Sequence, residues 1–412
     1  MKQIISSLDI GTSTIKLIVG EIYKNKLNVL ACSEIKSRGI KNGLIIDPEL
    51  VYQKLTEVFK RCEEILEIKI KDIVLCVPSY YADFELVEGY TTIDREGGVI
   101  NGSDIVRALQ ASIYNKIPPN KELISIMPIE YKVNDDEIVK DPKGLVGSKL
   151  SIKSVISVAP KKNVYTIFSI LDSMEIRVSD ICFNSLADYH EFKTDDMDDK
   201  QGAIINIGDE KTEVSIINNG VLIATQVLEM GGKDIDKEIM YAYNIDRKTA
   251  RKLKETFALA HTDNASTTEL EEVVDKSGVK VKINQYEITE IIYNKLKSIF
   301  EISKKQINLL TKKENSYIIV TGGTTEIKDI FKNVDESFGK IGILGNIKEL
   351  GVRNNKYSSV LGIIKYYYRK LSFRNKNAST ITDEDQQIIF NGKKKNKDNT
   401  LLGKVFSYFF DN

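Results

Sequence analysis

The sequence predicts an α/β fold of two duplicated lobes, and three observations carry that prediction. Three glycine-centred segments each follow a strand-like apolar run: Leu8-Asp9-Ile10-Gly11-Thr12-Ser13, Asn206-Ile207-Gly208-Asp209-Glu210-Lys211-Thr212 and Val320-Thr321-Gly322-Gly323-Thr324. The first two open the same strand meander, over residues 4 to 33 and 202 to 227, and the second meander turns at Asn218-Asn219-Gly220. Asn-Gly between alternating apolar runs is a strong hairpin signal, and the repeated placement implies internal duplication.

The elements follow in order. Residues 48 to 66 carry apolar side chains at 51, 55, 58, 59, 62 and 65, one helix face, and 73 to 77 read as a buried strand. From 82 to 158 the texture changes to strand, glycine-rich turn at 97 to 102, helix from 103 to 115, and strands near 123 to 133 and 149 to 158, an inserted α+β subdomain. A helix over 163 to 173 and a strand over 178 to 183 precede an acidic loop, 195 to 199. After the second meander, residues 233 to 243, 247 to 258 and 288 to 311 are helical by spacing, 317 to 320 form a short strand, and a helix over 356 to 371 closes the second lobe. Beyond Ser372 the composition turns polar and unpatterned, which predicts a flexible linker.

Composition bounds the function. A chain of 412 residues, 42% hydrophobic, can bury more than one core. The 59 basic and 59 acidic residues cancel, so no overall field favours nucleic acid. Cys32, Cys62, Cys76 and Cys182 are widely spaced, which points to a reducing compartment rather than disulfides or zinc, and two histidines do not make a His-rich metal centre. The chain opens on a strand and no apolar stretch approaches the ~20 residues that span a bilayer, so a cytoplasmic body is expected.

Glycine permits positive-φ turns and lets the main chain approach a phosphate, while a neighbouring hydroxyl or carboxylate can serve a phosphate oxygen or a metal-bound water. The three segments together suggest a split nucleotide site. Asp9-Ile10-Gly11-Thr12-Ser13 with Lys16 seven residues after Asp9, Met230-Gly231-Gly232-Lys233-Asp234-Ile235-Asp236 opening a helix, and Val320-Thr321-Gly322-Gly323-Thr324 appear in the order found in actin, the heat-shock chaperone ATPases and hexokinase. The chain resembles that superfamily, which implies an actin-like ATPase fold with ATP and Mg²⁺ as cofactors. By resemblance, Asp9, Gly11, Thr12, Ser13, Lys16, Asn206, Gly208, Gly231 and Gly232 surround the phosphates, and Asp9 meets Mg²⁺ through a water. Gly322, Gly323 and Thr324 carry the adenosine, with Lys295 beside the adenine.

Within the superfamily the chain resembles the bacterial FtsA cell-division family. The deciding residues are Gly39-Ile40-Lys41-Asn42-Gly43-Leu44-Ile45-Ile46-Asp47, Ile117-Pro118-Pro119, Met127-Pro128-Ile129-Glu130-Tyr131, the run from Asp141 to Leu150, and Tyr357-Ser358-Ser359 with Gly362. That resemblance implies a protein that polymerises head to tail and tethers the tubulin-like FtsZ to the cytoplasmic face of the membrane at the division site, alongside other division proteins. It divides the chain into a first lobe (1–81 and 159–196), an insert that contacts the next subunit (82–158), a second lobe (197–230 and 312–371), a small subdomain holding the FtsZ site (231–311), a linker (372–399) and a terminal helix (400–412). Other members of the fold leave two alternatives open, a pilus-assembly platform and a sugar or acetate kinase. The kinase needs a carboxylate base facing an acceptor hydroxyl, for which the sequence offers no motif.

Two departures bear on chemistry. Asn206 stands where the superfamily has an Asp, and Asp209-Glu210 replaces two glycines, placing like charge beside a triphosphate. Asn184 occupies the position of a Glu or Gln that orients the attacking water, so hydrolysis is expected to be slow or absent. At the C-terminus, Leu401, Leu402, Val405, Phe406, Phe409 and Phe410, with Tyr408, fill about 200° of a helical wheel behind Lys393, Lys394, Lys395 and Lys397. Such a helix suits an anionic membrane surface, folds on binding, and gains avidity when a polymer presents many copies.

Overall fold

The computed structural model describes residues 2–41, 43–79, 81–134, 137–372 and 376–391. The first lobe begins with β1 (Gln3–Ile10), β2 (Thr14–Tyr23) and β3 (Lys26–Lys36), an antiparallel meander. The short pair β4 (Ile40–Lys41) and β5 (Leu44–Ile45) leads into α1 (Pro48–Leu66). Asp47 caps α1 by accepting from Leu50 N at 3.1 Å, and Pro48 costs no hydrogen bond in the first turn. The buried face is the expected one except at its last position, where Leu66 is inside and Ile65 is exposed. β6 (Asp72–Val77) then runs parallel to β1.

The insert consists of β7 (Asp83–Thr92), α2 (Gly102–Ile113), β8 (Lys121–Val133), β9 (Glu137–Val139) and β10 (Lys149–Pro160), with strand order β7-β10-β8-β9. Asn101 and Asp104 form a capping box at the start of α2. The helix lies so close on β7 that a Cβ on Gly89 would stand 2.4 Å from Ser112 N. The insert has small apolar cores of its own, Ile93, Ile100, Ala108, Val133, Leu150 and Ile152 among them. The chain returns through α3 (Lys161–Ser173), β11 (Arg177–Phe183) and α4 (Asn184–Phe192).

The second lobe repeats the first strand for strand. β12 (Gln201–Ile207), β13 (Thr212–Asn218) and β14 (Val221–Leu228) are the meander, followed by α5 (Gly232–Tyr243), α6 (Arg247–Thr256), the hairpin β15 (Leu270–Val274) and β16 (Lys280–Asn284), and α7 (Gln285–Leu310). β17 (Tyr317–Thr321), α8 (Ile330–Phe338) and β18 (Gly342–Leu344) complete the sheet. The two five-stranded sheets have the orders β11-β6-β1-β2-β3 and β18-β17-β12-β13-β14, each with the three strands farthest from the meander's end paired in parallel. Even the outer turns agree: Lys24 and Asn25 sit at φ 50° and 60°, Asn219 and Gly220 at 51° and 74°, the left-handed pair that a two-residue hairpin turn requires.

Two expectations are corrected. The last long helix, α9 (Ser358–Ser372), packs on the first lobe rather than closing the second: Ser7 Oγ donates to Val360 O at 2.7 Å, and Val360, Leu361, Ile363 and Ile364 join the first core. It crosses α4 at very close range, for a Cβ on Gly362 would lie 1.8 Å from Ala187 O. An apolar helix face announces that it is buried, not which sheet it covers. Second, part of the expected linker is structured. Ala378 and Ile381 are buried in the first core, Thr380 N donates to Ile4 O at 2.8 Å, and Ser6 N donates to Thr380 Oγ1 at 2.8 Å. This segment lies beside β1 at Ile4 to Ser6, where β6, whose pairing begins at Ser7, no longer reaches. α10 (Asp383–Asn391) follows, with Ile388 and Ile389 against the same core. The remainder of the linker and the terminal helix of 400–412, with Leu401, Leu402, Val405, Phe406, Phe409 and Phe410, lie outside the described residues.

Candidate functional site

The glycine segments converge because the strands that carry them occupy matching positions in the two sheets. Gly11 N donates to Thr14 O at 3.0 Å and Gly208 N donates to Lys211 O at 2.9 Å, the same tight turn in both hairpins. Gly208 O is a common acceptor for the other segments: Gly232 N reaches it at 3.0 Å and Thr324 Oγ1 at 2.9 Å. A Cβ on Gly231 would stand 2.6 Å from the same oxygen, and Gly322, at φ +101°, would bring one to 2.5 Å from Asn206 Oδ1. Glycine is required at both places. Ser13 Oγ closes the ring by donating across the lobes to Asp209 Oδ2 at 2.6 Å.

Between the hairpins lies a cleft of about 590 Å³, within the usual range of small-molecule sites. Asp9, Gly11, Thr12, Ser13, Lys16, Asn184, Asn206, Gly208, Gly322, Gly323 and Thr324 line it. Gly231 and Gly232 stand behind the wall, supporting Gly208. Lys295 is a correction: it points away to Glu238, at 3.1 Å, and is absent from the described lining. A spacing argument on a helix of 26 residues could not fix which turn faces the cleft. The shorter α6 supplies Arg251, Lys254 and Glu255 instead.

Charges of both signs line the cleft, and the buried ones are paired. Lys16 and Asp9 pair at 2.9 Å across β1 and β2, both buried. Burial alone would lower the Lys16 pKa, but Asp9 outweighs it and raises it, so the ammonium stays charged inside the cleft. The acidic pair in the second loop is compensated. Asp209 meets Arg247 at 3.2 Å and Arg251 at 3.6 Å, and Glu210 meets Lys233 at 2.8 Å. Burial pushes against ionisation of Asp209, yet the Ser13 hydroxyl and the two guanidiniums hold its carboxyl below the ordinary value. Lys254 is itself buried between Asp236, at 2.5 Å, and Gly232 O, at 3.0 Å.

Two carboxylates were not anticipated. Asp188 of α4 is fully buried, and Asn206 Nδ2 donates to it at 2.6 Å while Ser358 and Ser359 of α9 donate at 2.7 and 2.8 Å. Burial pushes it up to about 6 against those three donors. Glu213 sits directly opposite Asn206 in the β12–β13 ladder and lines the cleft. Burial pushes it up to about 7, with the Ser79 and Ser185 hydroxyls opposing. Glu213 lies seven residues after Asn206, as Lys16 lies seven after Asp9, so the duplicated spacing could have found it. Nothing local marks Asp188, whose serine partners lie 170 and 171 residues away.

The comparisons with known proteins agree with this architecture. The family model described as cell division protein FtsA matches residues 203–362, and that of the SHS2 domain inserted in FtsA matches 83–158; together they cover more than half of the chain. The cell division protein FtsA of Enterococcus hirae is 26% identical over 362 residues, 87% of this chain and 82% of its own. That of Bacillus subtilis is 25% identical over 366 residues, covering 88% and 83%. Among solved structures, the PilM-PilN type IV pilus biogenesis complex matches with a TM-score of 0.61 at 13% identity, over 87% of this chain and 96% of that one. MreB5 of Spiroplasma citri bound to ADP matches with 0.55 at 16% identity, over 91% and 99%. These structural likenesses establish the actin-like fold. With its two duplicated lobes, its inserted SHS2 domain and these relatives, the chain belongs to the FtsA cell-division family.

Proposed function

We propose that this chain is an ATP-binding division protein that assembles head to tail and tethers FtsZ to the cytoplasmic face of the membrane at the division site. The observation that carries the nucleotide reading is the convergence on Gly208 O of glycine turns from separate segments, around a cleft that holds a charged, buried Lys16. MreB5 of Spiroplasma citri, similar in fold, has been solved with ADP and with AMPPNP.

The residues present fit a nucleoside triphosphate with Mg²⁺. Glycines at 11, 208 and 322 stand on the cleft in turns so tight that a Cβ would come within 2.5 to 3.0 Å of Thr14 O, Lys211 O or Asn206 Oδ1, so the main chain itself faces the cleft. Lys16 and the amides of the first turn would hold the phosphates, Asp9 would orient a metal-bound water, and Thr324, Arg251, Lys254 and Glu255 would border the nucleoside. Mg²⁺ would supply neutralisation of phosphate charge. The ion pairs of Asp209 and Glu210 remove most of the repulsion their charges would otherwise impose.

Assembly and tethering rest on other regions. Tyr81, Leu86, Tyr90, Tyr114, Ile138 and Val146 are exposed on or beside the insert, side chains that a contact with the next subunit would cover. The subdomain of 231–311 would take FtsZ, and the amphipathic sequence of 400–412 would lie in the membrane. No described helix is long and apolar enough to cross a bilayer. The test is co-sedimentation with anionic vesicles in the presence of ATP and Mg²⁺. The full chain is expected to pellet, and a chain lacking 400–412 is expected to stay in solution while binding ATP; pelleting of the truncated chain contradicts the anchor.

A further inference from the structure

The docked stretch 376–391 fixes where the chain leaves the first lobe. Lys376 N donates to Leu371 O at 3.0 Å, at the end of α9, and Ala378 N donates to Gln3 Oε1 at 2.7 Å. Thr380 lies farther along β1, bonded to Ile4 and Ser6. α10 then runs back, for Lys2 Nζ stands over the Phe390 ring, 3.7 Å from its centre. The path thus brings Phe390 beside the first residues of β1, at the opposite end of that strand from the Gly11 turn. The β2–β3 turn lies at the same end, because Gln3 pairs with Ile22 and Tyr23 with Lys26.

That end is basic and aromatic. Tyr23 and Phe390 are each 42% exposed, and Lys2 and Lys24 stand 5.9 and 5.4 Å from the centre of the Tyr23 ring. Lys24, Lys26 and Lys376 are exposed and make no ion pair among the described residues. Lys2 pairs with Glu21 at 2.9 Å, but the glutamate side chain is only 10% exposed and the lysine 44%. The acids of α10, Asp383, Glu384 and Asp385, occupy its first turn, roughly 8 to 10 Å along the helix axis from Phe390. Ammonium groups with rings between them suit the headgroup layer of an anionic bilayer: lipid charge attracts lysine, and a ring sits well where apolar meets wet.

We propose that this end of the first lobe is a second membrane contact, in which Lys2, Lys24, Lys26 and Lys376 meet anionic lipid headgroups beside the tether. The proposal rests on the anchor reading of 400–412 and goes beyond it. Only residues 392–399 separate the end of α10 from that segment, and fully extended they reach about 30 Å. Were 376–391 free chain, the reach from the end of α9 would be about 90 Å and would impose no orientation. The short tether leaves from the basic end and itself carries Lys393, Lys394, Lys395 and Lys397, so it presents that end to the bilayer. The cleft, at the far end of β1, stays clear of the lipid. With the tail inserted, the lysines meet the surface at high effective concentration, so contacts weak by themselves add to the attachment.

The chain has no tryptophan, which supplies the test. In the full chain, Tyr23→Trp places a reporter between Lys2 and Lys24, and Tyr241→Trp, at a position 81% exposed on α5, is the control. On vesicles of phosphatidylserine and phosphatidylcholine, emission of Tyr23→Trp is expected to shift to the blue and to be quenched by brominated lipid, while that of Tyr241→Trp stays unchanged. Lys24→Gln combined with Lys26→Gln is expected to weaken binding to these vesicles about tenfold or more, since one lysine at an anionic surface contributes roughly fivefold. Its melting temperature should match the parent's, because both side chains are exposed. Emission of Tyr23→Trp that ignores the lipid while the chain pellets with the vesicles overturns the second contact and leaves the anchor standing. Parent-like binding by the double lysine variant does the same, and that variant decides alone should Tyr23→Trp not fold. A full chain that does not pellet with the vesicles overturns both readings.

Discussion

The two central hairpins are the same object with different side chains. At one register position β1–β2 opposes Asp9 to Lys16, and at the matching position β12–β13 opposes Asn206 to Glu213. The first pair is a buried ion pair in which Asp9 keeps the Lys16 ammonium charged. The second has no cation, and its carboxylate is driven toward neutrality by burial. The two hairpins share one geometry, and their side chains make one a buried ion pair and the other an amide opposite a buried acid.

Breaking the first hairpin should cost the most. Lys16→Met leaves the Asp9 carboxylate buried without its partner, a change worth about 3 to 5 kcal/mol of stability. It should also remove ATP binding; urea melts and mant-ATP titration read the two losses. Deleting residues 376–412 comes next, since it strips Thr380 from β1 and Ile381 from the core. A melting temperature lowered by several degrees relative to deletion of 392–412 would establish the docked segment, for burying one such side chain contributes about 1.5 to 3 kcal/mol. A segment that is only linker would leave both truncations equal.

The pH dependence sharpens the comparison. Glu213 binds its proton more tightly in the fold, at about 7, than at its ordinary 4.5, so its contribution to stability falls as pH rises between those values. Asp188 acts in the same sense between 3.8 and about 6. His190 opposes them: burial holds it down to about 3 from 6.5, so stability gains as pH rises across that window. Glu213→Gln removes the first contribution, and its melting temperature should therefore gain on the parent's from pH 5 to 8. A constant difference would mean that Glu213 is not buried in solution. Ser13→Ala should have a smaller effect, about 1 kcal/mol from the lost lobe-bridging hydrogen bond. Lys295→Ala should change ATP affinity by less than about twofold, because only Glu238 loses a partner, at an exposed ion pair.

Much of this architecture was legible in the chain. Alternating apolar residues and the Gly11, Gly208 and Gly220 turns encode the meanders locally, so their repetition could be read directly. What failed was non-local. The apolar face of α9 does not say which lobe it covers, and only the small Gly362 against Ala187 reveals the crossing. The segment from Ala378 to Ile381 is too short and polar to register in composition, yet serine and threonine hydroxyls let it bond to β1. Of the site, the glycine loops were recognisable because their turns need glycine. Glu213 has no local signal beyond its place in the second meander, although it stands seven residues after Asn206 as Lys16 stands seven after Asp9.

The central claim is that both hairpins build one nucleotide site, and equilibrium titration of the full chain with mant-ATP and Mg²⁺ tests it most directly. The account predicts saturable binding at one site per chain, lost in Lys16→Met and retained in Glu213→Gln. Binding by Lys16→Met at the parent's affinity, or no saturable binding by the parent, would contradict it.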